Sequence, residues 1–585
     1  MSEIKNLFIA TVLSVIVLVG WQNFYESKNV NKDTTEVVDN QEVEKETKTS
    51  KSLENLDQSS ISVKDQIDVK QEVESQNISQ KDLLIRIDND FVDGSISRRG
   101  LIFNNLSLKK YRETLDPGSP EVTLLDKKNQ YYAEIGFSQN DDKTIDLPTK
   151  NTVWDVDGMV LTPEKPLNFT WKNKQGMFFN VKVSLDKEYL FKIEKSIVNN
   201  FGKEIDISSY SRLYKALDSN QGGGIAHEGV IGFFNKELIK FSYEKVMKKE
   251  DIIIRSKDKN NKLSWVGFGD KYWMSALIGN ENGSSIVAKG LVKNGDKIAQ
   301  IENLYSATLD QGEEFKRTEY IFLGAKELNT LDKYEKQYGI TMFDHAVDFG
   351  SLYFITKPIF LFLQYLHKVI CNFGIAIMIL TLVIKIILFP LTKKSLVSMH
   401  RMRELQPQME EIKNKFKDDK TRMNMELVSL FKTNKVSPFS SIMPMLIQIP
   451  IFFALYKVLY ITIEMRHAQF FFWIKDLSAR DSLNVFSVFD SFGIGISQYL
   501  NLGVLSIILG LTMILQQKLQ PKPAIESSHM TALKWMPYIF TIISASFPAG
   551  LVIYWSWNNI LSMIQQVIVD HFVIKNKKNI VEKIR

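Results

Sequence analysis

A lysine placed where lipid is expected is the first residue with chemistry to offer. Residues 378–392 read MILTLVIKIILFPLT, apolar apart from Lys385 and two threonines. An ammonium at the centre of a spanning helix costs roughly 2.5–3.5 kcal/mol on insertion scales. Lys385 precedes Lys393 by eight residues, roughly 12 Å of helix. A lysine stem covers part of that distance by snorkelling. One reading is therefore a tolerated snorkelling lysine. The other is a lysine facing a hydrated cavity, where its charge attracts an anion; this is the default for an ionisable residue inside a membrane. Thr381 lies one turn earlier on the same helix face. Gln448 falls in the next apolar run. Asn558, Ser562 and Gln565/Gln566 recur at helical spacing in the last one. Such stripes also serve to glue helices together. No acidic residue sits in these runs near Lys385; Glu464 and Asp570 lie at run ends. An unpaired lysine there requires water, or a partner that arrives from outside. Lys457, near the outer end of its run, reads as snorkelling outward.

Other chemistries find little support. One cysteine, Cys371, permits no intrachain disulfide and no cysteine metal cage. The seven histidines show no metal-ligand spacing. His367, His400 and His571 fall at run ends or outside, which argues against an intramembrane serine protease. The QGGG run at 221–224 lacks a following Lys-Ser/Thr, so it reads as a turn and not a phosphate loop. No metal and no cofactor is expected. A net charge of +6, from 73 basic against 67 acidic residues, is too balanced to suggest DNA. No internal repeat of the kind found in transporters appears, which leaves Lys385 a thin site for a small anion.

The elements that must hold these residues follow from texture. Residues 1–25 carry an apolar run after Lys5 and end in Trp21, Phe24 and Tyr25, an interfacial aromatic belt. No small-residue cleavage site follows, so a retained signal anchor is expected. Residues 26–81 are charged and polar, with no aromatic after Tyr25, and read as a disordered tether. Residues 82–335 alternate in short runs such as FFNVKVSL and LLIRI between Gly, Asn and Asp turns. That pattern predicts an all-β sandwich, with Trp154, Trp171, Trp265 and Trp273 supplying core bulk. Residues 345–371 read as an interfacial amphipathic helix. Residues 372–392 form a second span, and 441–573 hold spans three to six, the last two separated by Phe547-Pro548-Ala549-Gly550. The fold expected is an α-helical polytopic membrane bundle of six spans plus a β-sandwich domain. Basic residues cluster in 393–437, in Lys518, Lys522 and Lys534, and in the tail 574–585. The positive-inside bias places these, and both termini, in the cytoplasm and the sandwich outside. Residues 393–437 themselves read as a helical hairpin broken near Lys417-Asp418-Asp419, either a plain connector or a docking arm for something anionic.

Long ordered stretches then match a known family. TLVIKIILFPLTKKS, RELQPQMEEI, PMLIQIPIFFALYKVL, WIKDLSARD and FPAGLVIYWSWNNILSMIQQ together resemble the YidC/Oxa membrane protein insertases. The sandwich resembles the extra periplasmic domain of Gram-negative members, a mutarotase-like super-sandwich. The resemblance implies a non-enzymatic insertase and chaperone of the bacterial inner membrane. It implies nascent membrane proteins as clients and the Sec translocon, the ribosome or targeting machinery, and lipids as partners. It also implies a hydrophilic groove open to cytoplasm and lipid, made here by Lys385, Thr381, Gln448, Tyr554, Trp555, Asn558 and Ser562. Family members commonly carry arginine where this chain has Lys385, and often tyrosine where Trp555 stands. Lysine keeps the sign of the charge but offers a point charge in place of a bidentate fork.

Overall fold

A computed structural model describes residues 83–139, 145–217, 226–248, 251–256, 262–293, 295–434, 436, 443–487, 502–519 and 528–584. The N-terminal anchor, the tether and the QGGG turn lie outside the described residues. The chain forms two compact units, divided between Asp348 and Phe349.

In the first unit the period-two alternation becomes strands. Phe178–Leu185 and Leu190–Val198 bury every second side chain and pair antiparallel. Among the described residues the strands make a ten-stranded and a nine-stranded sheet. Nearly all pairings are antiparallel; Leu84–Asp88 beside Val160–Leu161 is parallel. The two sheets pack face to face through aromatic contacts such as Phe103 on Phe191, with ring centroids 5.1 Å apart. Trp154 and Trp265 are fully buried, as expected of core bulk. Trp171 and Trp273 are only half-buried. They pack at the edge of the core against Phe179 and Tyr111, because their strands are short or end at those positions.

Two short helices complete this unit: α1 (Tyr243–Lys248) and α2 (Leu328–Tyr338). Tyr334 of α2 donates to Asp186 at 2.6 Å and accepts from the Tyr189 amide at 3.0 Å, which docks the helix on the sandwich. Near its start, Lys326 is 6% exposed. Burial pulls its ammonium down to about 8, against the opposing pull of Asp270, Asp348 and Glu228. The first two of these carboxylates already pair with Lys215 and Lys240. The unfolded chain therefore binds more protons than the folded one between about 8 and 10.5, and stability rises with pH through that window. Lys326→Met is expected to stabilise this unit at neutral pH by on the order of 3 kcal/mol, at about 1.4 kcal/mol per pH unit. It should also flatten the rise. Urea unfolding followed by tryptophan fluorescence at about pH 7 and about pH 10 reads both effects.

The second unit is helical. Helix α3 (Tyr353–Ile370) is amphipathic, with Phe360 and Leu363 buried and Phe354 and Val369 exposed. Helix α4 (Phe373–Ile387) begins on an Asn372 side-chain cap. The apolar segment 372–392, expected to cross in one piece, is bent: α4 ends at Ile387 and α5 (Phe389–Glu404) departs at 67°. Pro390 is the physical cause, since it has no amide to continue the helical ladder. The hairpin breaks where expected, between α6 (Gln406–Lys415) and α7 (Lys420–Thr433). A second break at Leu405 precedes Pro407 and makes three helices where two were expected. Met402, Leu405, Met409, Leu427 and Phe431 form a small core inside this arm. Then follow α8 (Met443–Ile461), α9 (Val504–Leu519), α10 (Ser528–Ser544) and α11 (Ala549–Ile584). The last pair breaks over residues 545–548, so Phe547 and Pro548 lie in the break, while Ala549 and Gly550, also expected there, already open α11. No single helix among the described residues is both long and apolar enough to cross a membrane; the bent pair α4–α5 passes by length and composition. Ile387, Leu511, Ile542 and Val567 are exposed on these helices.

Candidate functional site

The helix face that carries Lys385 packs on α11. Lys385 Nζ donates to Ser562 Oγ at 2.8 Å, and Ser562 donates in turn to the Asn558 carbonyl at 2.7 Å. Gln565 Nε2 donates to the Lys385 carbonyl at 3.1 Å. Trp557 Nε1 donates to the Met378 carbonyl at 3.1 Å, about two turns earlier on α4. Positions 562 and 565 thus present one face of α11 to α4, as three-residue spacing requires. Asn558 is 6% exposed and its Oδ1 has no hydrogen-bond partner among the described residues. No carboxylate among the described residues pairs with Lys385. An ammonium has three donors. One is engaged by Ser562, so the others are available to water or an arriving carboxylate.

The remaining expected residues separate from this centre. Thr381 is buried, and its hydroxyl donates back to the Ile377 carbonyl at 2.6 Å within its own helix. Gln448 of α8 donates to the Tyr554 hydroxyl at 2.5 Å, two turns of α11 from Ser562. Trp555 is rotated off that face and sits between Phe452 and Phe540, with centroids 4.6 and 4.7 Å away. Tyr554, not Trp555, is the aromatic that meets Gln448. The polar stripe is also two stripes: Asn559 and Gln566 turn to α9, donating to Thr512 Oγ1 and the Leu519 carbonyl. Their seven-residue spacing, set against that of 558, 562 and 565, is the sequence signal for this split. Lys457 is 8% exposed and lies inside the unit, so it does not snorkel outward.

At the other end of α11, Asp570 ties the base of the arm. It lies 3.2 Å from His400 Nδ1 and 3.4 Å from Arg403, beside the Leu396–Met399–Val569 contact. Partly exposed pairs of this kind contribute roughly 0.5–1 kcal/mol each. Asp570→Ala is expected to loosen α5 from α11 and to raise tryptic cleavage of the arm roughly fivefold. Timed proteolysis in lipid, with cleavage inside the sandwich as the internal reference, measures it.

An apolar helical bundle that holds the Lys385 ammonium between its helices, joined in sequence to a two-sheet sandwich, defines a membrane protein with an extramembrane β domain. The comparisons agree. The family model "60Kd inner membrane protein" matches residues 365–577, and "YidC periplasmic domain" matches 84–362. A membrane protein insertase YidC of Rickettsia canadensis is 40% identical over 583 residues, covering 98% of this chain and 100% of that protein. The crystal structure of an active YidC insertase covers 83% of this chain and 92% of its own at 18% identity and TM-score 0.33. A galactose mutarotase related enzyme from Lactobacillus acidophilus covers 41% of this chain and 97% of its own at 13% identity and TM-score 0.31. The chain belongs to the YidC membrane protein insertase family. It is an inner-membrane protein with a periplasmic domain.

Proposed function

We propose that this protein inserts other proteins into the inner membrane by receiving them on the α4–α11 face. The observation that carries the reading is Lys385, held by Ser562 between apolar helices with no carboxylate partner among the described residues. Lys385, Ser562 and the unpartnered Asn558 Oδ1 keep water at a depth where lipid would exclude it. The acidic or polar tail of an incoming protein rests on this wet patch while its apolar segment contacts lipid along α9 and α11. A membrane potential positive outside favours outward transfer of a negative tail by about 2.3 kcal/mol per charge per 100 mV. The residues need no nucleotide for this step.

The six-span topology, with both termini and the 393–437 arm in the cytoplasm, belongs to the same reading. Support comes from helix ends: α4, α9 and α11 begin, and α8 ends, around the 463–484 loop. Asp570 and the basic arm lie at the opposite end of α11. The arm and tail offer a surface for the ribosome or targeting machinery, and the Sec translocon is a further expected partner. The transporter reading finds no support, since the relatives are insertases. The test is purified protein in liposomes, given a short single-span protein with an acidic outward tail. Protease protection of that tail well above empty liposomes is the expected result. Protection equal to empty liposomes overturns the self-sufficient insertase.

A further inference from the structure

Five neighbouring strands of the nine-stranded sheet end in one row. Gly229 stands opposite Ser242 and Gly269, Gly269 opposite Met274, and Trp273 opposite Ala325. The register therefore gathers Glu228, Tyr243, Asp270 and Lys326, the residues just beyond those strand ends. Two opposite charges here are already matched. Both oxygens of Asp270 accept from Lys215, at 2.5 and 2.6 Å, and Asp348 accepts from Lys240 at 2.7 Å. Lys326 is left over. It is 6% exposed, and its ammonium makes no hydrogen bond or ion pair among the described residues. Glu228 is half-buried and equally unengaged among them. It attracts Lys326 without pairing with it. The Tyr243 hydroxyl is buried, faces Asp270 and closes no hydrogen bond among the described residues. His227 does not compete for these groups: its Nε2 meets the Val230 carbonyl at 3.0 Å, and burial holds the ring below its ordinary pKa. Three ammonium donors without acceptors at this depth are costly, and buried polar groups in native proteins are as a rule satisfied. The side chains of Asp270 and Lys240 stay 26% and 24% exposed, so the row opens to solvent beside them.

We propose that this row of strand ends binds a small carboxylic acid that carries a hydroxyl or amino group on the neighbouring carbon. Lys326 and Tyr243 donate to its carboxylate, and Glu228 accepts from the neighbouring hydroxyl or ammonium. The roles follow from the side chains, since an ammonium only donates and a carboxylate accepts. Charge-assisted contacts of this kind are stronger than neutral ones. Burial sets the size: an ammonium 6% exposed is reached by a molecule of a few carbons and not by a chain segment. An apolar side chain at 326 would stabilise the unit, so folding does not account for the ammonium; binding does. Asp270, Asp348 and Glu228 face it with negative charge and Lys240 with positive, and burial holds it at about 8. A carboxylate therefore finds it charged at neutral pH. The site is independent of the α4–α11 face.

The test uses the full chain in detergent and three acids of equal carbon number: lactate, free alanine and propionate, with sodium chloride equalising ionic strength. At about pH 7 and about 20 mM, lactate or alanine is expected to raise the urea midpoint of sandwich tryptophan fluorescence by about 0.3 M or more. Propionate, which lacks the second group, should give less than half that rise. A larger rise with lactate assigns a hydroxyl to Glu228, and a larger rise with alanine assigns an ammonium; either supports the site. Lys326→Met folds at least as stably as the parent by the argument above, so it is a clean control. Its midpoint should not move with any of the three acids. Glu228→Gln should bring lactate and alanine down to the level of propionate. The rise should vanish at about pH 10, where the ammonium is neutral. No rise with lactate or alanine overturns the proposal. So does an equal rise with propionate, or a rise that persists in Lys326→Met.

Discussion

Lys385→Glu is expected to reduce insertion of an acidic-tailed client to the level of empty liposomes, while Lys385→Arg retains it. The expectation follows from sign and surroundings. Two unit charges about 4 Å apart interact by about 4 kcal/mol at an effective dielectric of 20. Reversing the groove charge converts attraction of that order into repulsion. Lys385→Ala removes the attraction and leaves Ser562 and Asn558 to hold water. Its loss should be smaller, about tenfold, which corresponds to about 1.4 kcal/mol. Arginine keeps the charge and adds a planar fork; it must find Ser562, whose hydroxyl now meets Nζ at 2.8 Å. A client with a neutral tail is the control, and its insertion should fall by less than threefold in Ala. If Ala, Glu and Arg all match the parent on the acidic client, Lys385 is a snorkelling bystander. Insertion would then depend on the shape and hydration of the groove. The readout is tail protection against protease, normalised to protein incorporated.

The sequence made some of this site visible and hid the rest, for reasons that individual residues show. Lys385 stood out because a charge in an apolar run has few structural explanations. Asn558 and Ser562 followed from helical spacing; the structure sets Ser562 against the ammonium, and Asn558 joins through its backbone carbonyl, which accepts from Ser562. Thr381 shares the face but not the site, because a threonine inside a helix can bond the carbonyl one turn back, and this one does. Spacing fixes a face and says nothing of whether a hydroxyl is already engaged. The bend at Leu388 was signalled by Pro390, yet the apolar run continues past it and hydropathy alone reads one span. Glu228 and Lys326 of the sandwich were the harder case. They lie just outside the strands Gly229–Phe234 and Glu314–Ala325. No periodicity links those positions; only the pairing register brings the strand ends into one row.

The sandwich carries the second large effect, and it is expected to leave insertion alone. In LFKIEKSIV the inward positions read Phe191, Ile193, Lys195 and Ile197, so the strand period puts an ammonium in the core. The same logic turns Glu319 inward on the neighbouring strand. The two form an ion pair; the lysine side chain is 0% exposed and that of the acid 5%. Lys195 also donates across the core to the Tyr210 carbonyl at 2.7 Å, and Ser211 of the opposing sheet donates to Glu319 at 2.6 Å. Burial pulls the Lys195 ammonium below its ordinary value, and Glu319 opposes that pull. Removing one partner strands the other in a dry interior, at about 3–5 kcal/mol. Lys195→Ala should therefore lose most of the stability of the sandwich, read as a shift in the urea midpoint of Trp154 and Trp265 fluorescence. Lys195→Met with Glu319→Leu should recover most of it, since apolar replacement of both members of such a pair is often neutral or stabilising. If the single variant unfolds at the parent midpoint, the pair is not a closed ion pair in the core. The liposome assay adds the functional half. The residues proposed to receive clients lie on α4 and α11, so Lys195→Ala should insert the acidic client within about twofold of the parent, a difference of less than 0.5 kcal/mol. A tenfold loss of insertion with the sandwich destabilised would instead make its fold part of the inserting machinery.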